Sequence, residues 1–277
     1  MRSLLALLLP VLLVTACAAR GPLHPNAVAL NKAGAYALAQ GDLDTAQARL
    51  ELAVEYHPNF VEAWINLGLL ELSRGDLAMA EKRFRRALAI DRDAAGARVG
   101  LGAVAERRGD LPLAEKEYRA ALAIDPGLAE PRANLARLLA DRGALDEARV
   151  HLRRLIEVQA DDPAGWMALC EVLWRMGRDP EAAQVVDEAR ARLGDRPEVE
   201  LLLARRDLRA GELDEAIARL EPLAKEPAAI GRAAGGWLAV ARLEKGDVPG
   251  ARAAARAVLA RDPEDRLARH VIEKTGT

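Results

Sequence analysis

Small and apolar residues return at the same places in a period of 34 residues along most of this chain. Glycine recurs at this interval from Gly41 to Gly211, and Gly246 follows 35 residues later. Within each period, apolar positions have the spacing of an amphipathic helix in two segments of about 13 residues. The pattern therefore predicts a tandem array of helix pairs, because a fixed period of this length is typical of stacked structural repeats.

Two positions of the period fix how the helices of each pair meet. The eighth position is always small and the twentieth is alanine in every repeat when the repeats start at Ala27, Val61, Ala95, Ala129, Pro163, Pro197 and Arg232. Small residues there allow close approach of the two helices, and a larger side chain would overpack the interface at a cost of about 1–3 kcal/mol. Glycine at the fifteenth position is expected to end the first helix with a positive φ. The second helix is expected to be capped in four repeats, by Asp42, Asp76, Asp110 and Asp247.

These positions together resemble the tetratricopeptide repeat. The second repeat carries the family pattern most fully, in Trp64, Leu67, Gly68, Ala80, Phe84 and Ala87. The resemblance implies an all-α fold, an α-solenoid of about seven tandem helix-turn-helix repeats. The repeats are placed at residues 27–60, 61–94, 95–128, 129–162, 163–196, 197–231 and 232–265. Residues 266–277 are expected to form a short capping helix and tail, with Leu267, Val271 and Ile272 on its apolar side.

The first residues read as a targeting segment. Arg2 precedes an apolar run at residues 4–14, which is too short to span a bilayer. Val14-Thr15-Ala16-Cys17 resembles the bacterial lipobox, which implies a signal peptide at residues 1–16, lipidation of Cys17 and a short tether over residues 17–26. The alternative is an ordinary secretory signal with an incidental cysteine. Ala18 after the cysteine, by resemblance to lipoprotein sorting rules, implies the outer membrane of a Gram-negative bacterium, facing the periplasm.

Composition narrows the function. The chain is 51% hydrophobic and only 3% aromatic, which suits many thin helix pairs sharing small cores. The net charge is −2 and no basic block stands out, so no nucleic-acid partner is predicted. The four histidines lack metal-ligand spacing, and motifs of hydrolases or phosphate-binding loops are missing from the sequence. We therefore predict no enzyme activity, no metal and no cofactor, and Cys170 is read as a buried structural thiol.

The family resemblance also implies a concave groove lined by the first helix of each repeat. Its early part would hold Asn31, Leu38, Ile65, Leu69, Leu72 and Val99, and is mostly apolar. Its later part would hold Arg107, Arg137, Glu171, Trp174, Arg175, Arg205 and Arg209, and is mostly basic. Such a groove suits an amphipathic helix or an extended segment that bears acidic residues. Trp174 is the best candidate anchor if repeat packing does not need it; the alternative is that it packs against a neighbouring helix.

These features predict a non-catalytic, membrane-anchored scaffold that binds a protein or peptide segment of an envelope complex. One alternative is an assembly factor similar to the pilotin lipoproteins of type IV pilus secretins, although the Asn-Tyr-Gly stretch of those proteins does not occur here. Another is an accessory or regulatory lipoprotein of a polysaccharide-export or cell-wall enzyme system. The scarcity of aromatic groove residues argues against a glycan carrier.

Overall fold

The computed structural model describes residues 23–276, which form fifteen α-helices. Their bounds are α1 Pro25–Ala39, α2 Leu43–Tyr56, α3 Val61–Arg74, α4 Leu77–Ile90, α5 Ala95–Arg107, α6 Leu111–Ile124, α7 Ala129–Asp141, α8 Leu145–Val158, α9 Pro163–Arg175, α10 Asp179–Leu193, α11 Pro197–Ala210, α12 Leu213–Leu223, α13 Ala229–Glu244, α14 Val248–Leu259 and α15 Arg266–Thr275. Successive helices pack in pairs, which confirms the predicted all-α solenoid. None of the helices between residues 23 and 276 is long and apolar enough to cross a membrane.

The chain divides into two compact units, one up to Arg92 and the other from Asp93. The first contains α1 to α4, and α2 packs on both α1 and α3. The second contains α5 to α15, and each helix packs on the next along the chain. The last helix, α15, covers both α13 and α14 with Ala268 and Val271, which are fully buried.

Local sequence explains where the helices of a pair begin and end. Each glycine at the fifteenth repeat position has a positive φ, between 71° and 88°, which side chains rarely adopt. The four aspartates predicted as caps accept a hydrogen bond from the backbone N–H three residues on, at 2.9–3.1 Å for Asp42, Asp76, Asp110 and Asp247. Because the first helix ends at the glycine and the second begins at the capping residue, the chain reverses direction and the two helices form an antiparallel pair.

In each of the first three repeats, a glycine of the first helix faces a large side chain of the second. A Cβ on Gly68 would lie 2.5 Å from the Phe84 ring, and a Cβ on Gly102 would lie 2.5 Å from the Tyr118 ring. The alanine at the twentieth position is fully buried in every repeat. Positions 68 and 102 therefore require glycine, because real Cβ atoms do not come this near to a ring.

Two segments differ from the sequence expectation. Helix α1 begins at Pro25 and so includes the last two residues of the predicted tether, because proline suits a first helical position and the His24 side chain accepts a hydrogen bond from the Asn26 N–H. Helix α12 has 11 residues, whereas the other second helices have 12–15. The predicted signal peptide, Cys17 and most of the tether lie outside the described residues.

Candidate functional site

A cleft of about 390 Å³ separates α7 from α9 in the second unit. Its walls are six small residues on the two helices, and Leu152 and Leu155 of α8 contribute apolar surface beneath them. The small residues are Ala133, Ala136, Ala140, Ala164, Gly165 and Ala168. Because these side chains are short, the cleft stays open where larger residues would fill it. The sequence signal for the cleft is thus a run of small residues at helical spacing on two consecutive first helices.

Polar groups surround this α7–α9 cleft. Asn134, Arg137, Gln159, Glu171 and Arg175 all line it. The Asn134 side chain forms no hydrogen bond with another described residue. Its amide is half-buried beside alanine surface, so it is available to a partner's backbone N–H or C=O. The cleft therefore combines an apolar interior with an unused polar group, as ligand-binding pockets commonly do.

Three of the five arginines predicted to make the later groove basic, Arg137, Arg205 and Arg209, pair with acidic neighbours. Arg137 pairs with both Glu106 and Asp141, and Arg209 pairs with Asp179. The Arg209 hydrogen bond lowers the pKa of the Asp179 carboxyl, which keeps that carboxylate charged. The expectation of a basic groove is corrected accordingly: most of its cations form ion pairs between adjacent repeats instead of an open positive surface.

Glu171 and Arg175 also take part in contacts between repeats. Glu171 accepts a bond from Arg205 at 2.6 Å, and Arg175 donates to the Ala140 carbonyl at 2.8 Å. The Ala140 carbonyl belongs to the last turn of α7, where helix carbonyls lack partners within the helix. Arg175 therefore joins α9 to α7 beside the cleft, and both residues keep exposed surface there.

Trp174 lies in the interior, with only 6% of its surface exposed. The Arg205 guanidinium stands 4.2 Å from the centre of the Trp174 ring and 4.5 Å from that of Trp237. The premise that packing does not need an aromatic residue at Trp174 is wrong, because the ring belongs to the core and supports this cation–π stack. A role for Trp174 in partner binding would be indirect, through the position of Arg205.

The remaining predicted groove residues divide by burial. Leu72 and Val99 are 6% and 8% exposed, so both are core residues. Leu69 is 39% exposed, while Leu38 and Ile65 are half-buried. Asn31 accepts a hydrogen bond from Asn66 at 2.9 Å, which links α1 to α3 within the first unit. Arg107 is exposed at the end of α5.

Cys170 is a free thiol with no exposed surface. Burial raises its pKa to about 12, so the thiol stays protonated at ordinary pH. Because the thiolate is the reactive form, Cys170 is a packing residue in this structure. Among the described residues, no group of three His, Cys, Asp or Glu side chains is placed to hold a metal ion.

Comparison with known proteins identifies the family. One tetratricopeptide-repeat model matches residues 31–95, 74–129 and 201–266, and a second matches residues 105–170. The first of these covers more than half of the chain, and the chain therefore belongs to the tetratricopeptide-repeat family. Proteins of this family are generally interaction scaffolds that bind protein or peptide partners. No curated protein sequence matches the chain.

Three solved structures share the fold. A chain of the APC/C hetero-tetramer Cut9–Hcn1 superposes with a TM-score of 0.66 at 16% identity over 93% of this chain, which spans 50% of that one. PilF of Pseudomonas aeruginosa gives 0.61 at 22% identity, covering 77% of this chain and 97% of its own. PilW, a widely conserved type IV pilus biogenesis factor, gives 0.61 at 19% identity, with 75% and 97% covered. At these identities the likeness concerns the fold.

Proposed function

We propose that this protein is a non-catalytic scaffold that binds an extended or helical segment of a partner protein in the α7–α9 cleft. The observation that carries the proposal is the cleft itself, an opening of about 390 Å³ between two first helices with alanine walls. A volume of this size accommodates a few side chains. The short walls favour a segment with apolar side chains that can enter between the helices.

The polar groups of the cleft would set the direction of the bound segment. The free Asn134 amide offers two N–H donors and one carbonyl acceptor for the partner's backbone. Arg175 and Glu171 keep exposed surface on one side, so polar side chains of the partner can meet charges of both signs. This supports a segment with alternating apolar and polar side chains, and the polar ones need not be mainly acidic, although the sequence suggests acidic ones.

We further propose that Cys17 is lipidated and anchors the scaffold in the cell envelope, on the outer membrane and facing the periplasm. The support is the Val14-Thr15-Ala16-Cys17 motif after a short apolar run. Several acyl chains on one cysteine anchor a protein stably, whereas a single chain binds only marginally. An anchored scaffold would act on partners close to that membrane.

A second candidate is a pilotin-like assembly factor for a type IV pilus secretin. It is favoured by the likeness to PilF and PilW, each of which is matched over 97% of its length. The two candidates differ in partner: a pilotin binds a secretin, whereas a general scaffold of polysaccharide export or of a cell-wall enzyme does not. Co-purification of a secretin with the native lipoprotein would favour the pilotin role.

Site-specific photocrosslinking tests the binding site. A photoreactive benzoylphenylalanine replaces Gln159, an exposed residue at the edge of the cleft, and in a matched chain it replaces Ala123, which is exposed on α6. We expect one defined protein to be captured from position 159 and not from position 123. Adding Ala164→Trp, which places a bulky ring in the cleft at an exposed wall position, is expected to abolish that capture. Equal capture from both positions would contradict the proposal.

A further inference from the structure

A second cavity, of about 540 Å³, lies over α13 between the ends of α12 and α14. Its buried floor consists of Gly231, Gly235, Leu238 and Val258. Ala254 and Ala257 of α14 form one wall. The sides of this cavity belong to the second helices α12 and α14, whereas the walls of the α7–α9 cleft belong to first helices. The two openings therefore lie on different surfaces of the repeats.

The cavity exists because α12 stops early. Pro222 lies in the last turn, and the helix ends at Leu223. A Cβ on Gly231 would lie 1.9 Å from the Glu226 carbonyl oxygen, and a Cβ on Gly235 would lie 2.7 Å from a Val258 methyl. The missing turn of α12 thus leaves a recess above the first half of α13, and glycines keep the neighbouring segments close around it.

The rim of this α12–α14 cavity is strongly positive. Four basic residues line it against a single acidic one, Glu221. Arg242 is engaged, since it pairs with Glu221 at 2.7 Å and donates to the Gly250 carbonyl. The side chains of Lys225, Arg232 and Arg261 form no ion pair and no hydrogen bond with another described residue. Three cations with unused donors therefore surround one apolar floor, in a protein whose other arginines are mostly paired.

We propose that the α12–α14 cavity binds an acidic peptide segment that carries at least one apolar side chain. The three unpaired cations come from three different segments, after α12, on α13 and after α14, so they can meet several carboxylates spaced along a chain. The apolar floor would receive the side chain between those carboxylates. This surface is independent of the α7–α9 cleft and would let the scaffold hold a second partner segment.

Other anions fit these features less well. Neither inorganic phosphate nor the sugar-phosphate backbone of a nucleic acid offers an apolar side chain for the floor. An anionic membrane would favour a flat or protruding basic surface, whereas these cations surround a recess of about 540 Å³. Charge and shape together favour a peptide.

Fluorescence anisotropy with the purified full-length chain tests the proposal. The probe is a labelled peptide of about twelve residues in which every third residue is leucine and the others are glutamate. In the control peptide, each glutamate is replaced by glutamine. We expect the acidic peptide to bind, and the combined variant Lys225→Gln, Arg232→Gln and Arg261→Gln to weaken binding by about tenfold or more. The matched control changes three unpaired cations elsewhere, Arg49, Arg92 and Lys116, to glutamine and should retain binding within about twofold.

A second variant separates the site from general charge. Ala257→Glu adds an acidic side chain at an exposed wall position and is expected to prevent binding while the circular dichroism spectrum stays unchanged. Ala164→Trp in the other cleft should leave this binding intact. The proposal is overturned if the acidic peptide does not bind, if both triple variants lose binding equally, or if phosphatidylglycerol vesicles and not the peptide depend on these three cations.

Discussion

At the residue scale, arginine in this chain works mainly as a link between repeats. Arg205 of α11 lies between the rings of Trp174 on α9 and Trp237 on α13, and also pairs with Glu171. Its side chain is only 14% exposed, so solvent screens these contacts weakly. The sequence suggests that Arg205 belongs to a basic groove, whereas in the structure it connects three successive first helices.

The Arg205 stack should contribute measurably to stability. We expect Arg205→Ala to lower the free energy of unfolding by about 1–2 kcal/mol, because two ring contacts and one ion pair are lost together. Arg205→Lys should recover only part of this loss, since an ammonium cannot stack its face on two rings. Urea denaturation measures the change, and Arg209→Ala, which removes a more exposed pair, is the control with an expected loss below about 1 kcal/mol. Equal losses at the two sites would contradict the stack's role.

His151 should make stability depend on pH. Burial and the nearby Arg119 and Arg132 lower its pKa in the folded chain, so the unfolded chain, with a pKa of about 6.5, takes up the proton first as pH falls. Stability should therefore decrease as pH drops from about 6.5 towards the folded pKa. Urea denaturation at several pH values should show a smaller decrease in His151→Gln than in the wild type. His270→Gln, at an exposed site, should behave like the wild type.

At the element scale, the sequence predicts most of the helix pairs because their contacts are local. The positive-φ glycines, the four aspartate caps and the small-against-large pairs such as Gly102 with Tyr118 all depend on residues within one repeat. The early end of α12 also has a local cause, yet Pro222 alone does not reveal the cavity that it opens. Trp174 could not be assigned from the sequence, because its burial depends on Arg205 and Trp237 from later repeats.

The small residues between paired helices give a direct test of this packing. Ala148 is fully buried in α8, and Ala148→Leu should lower the free energy of unfolding by about 1–3 kcal/mol through overpacking. The effect should extend to neighbouring helices, since repeats stabilise each other through shared interfaces. Ala123→Leu, an exposed position on α6, is the matched control and should change the thermal midpoint little. An unchanged midpoint in Ala148→Leu would mean that this interface is loosely packed.

At the scale of the whole molecule, the second unit contains two separate recesses, the α7–α9 cleft and the α12–α14 cavity. A lipid is proposed on Cys17. If Cys17 carries the lipid, then Cys17→Ala should abolish labelling by radioactive palmitate and release the protein from the membrane fraction. A Cys170→Ala chain should still be labelled, because that thiol is buried and protonated. Labelling that persists in Cys17→Ala would rule out the proposed anchor and leave an ordinary secretory signal.

The central claim is that a partner segment occupies the α7–α9 cleft. The most direct measurement is the dissociation constant of the segment captured from position 159, determined by calorimetry with the wild type, Ala164→Trp and Ala123→Trp. We predict that Ala164→Trp weakens binding by about tenfold or more, because the ring occupies the space of the ligand, while Ala123→Trp binds like the wild type. Equal affinity for all three folded proteins would contradict the claim and place the partner on another surface.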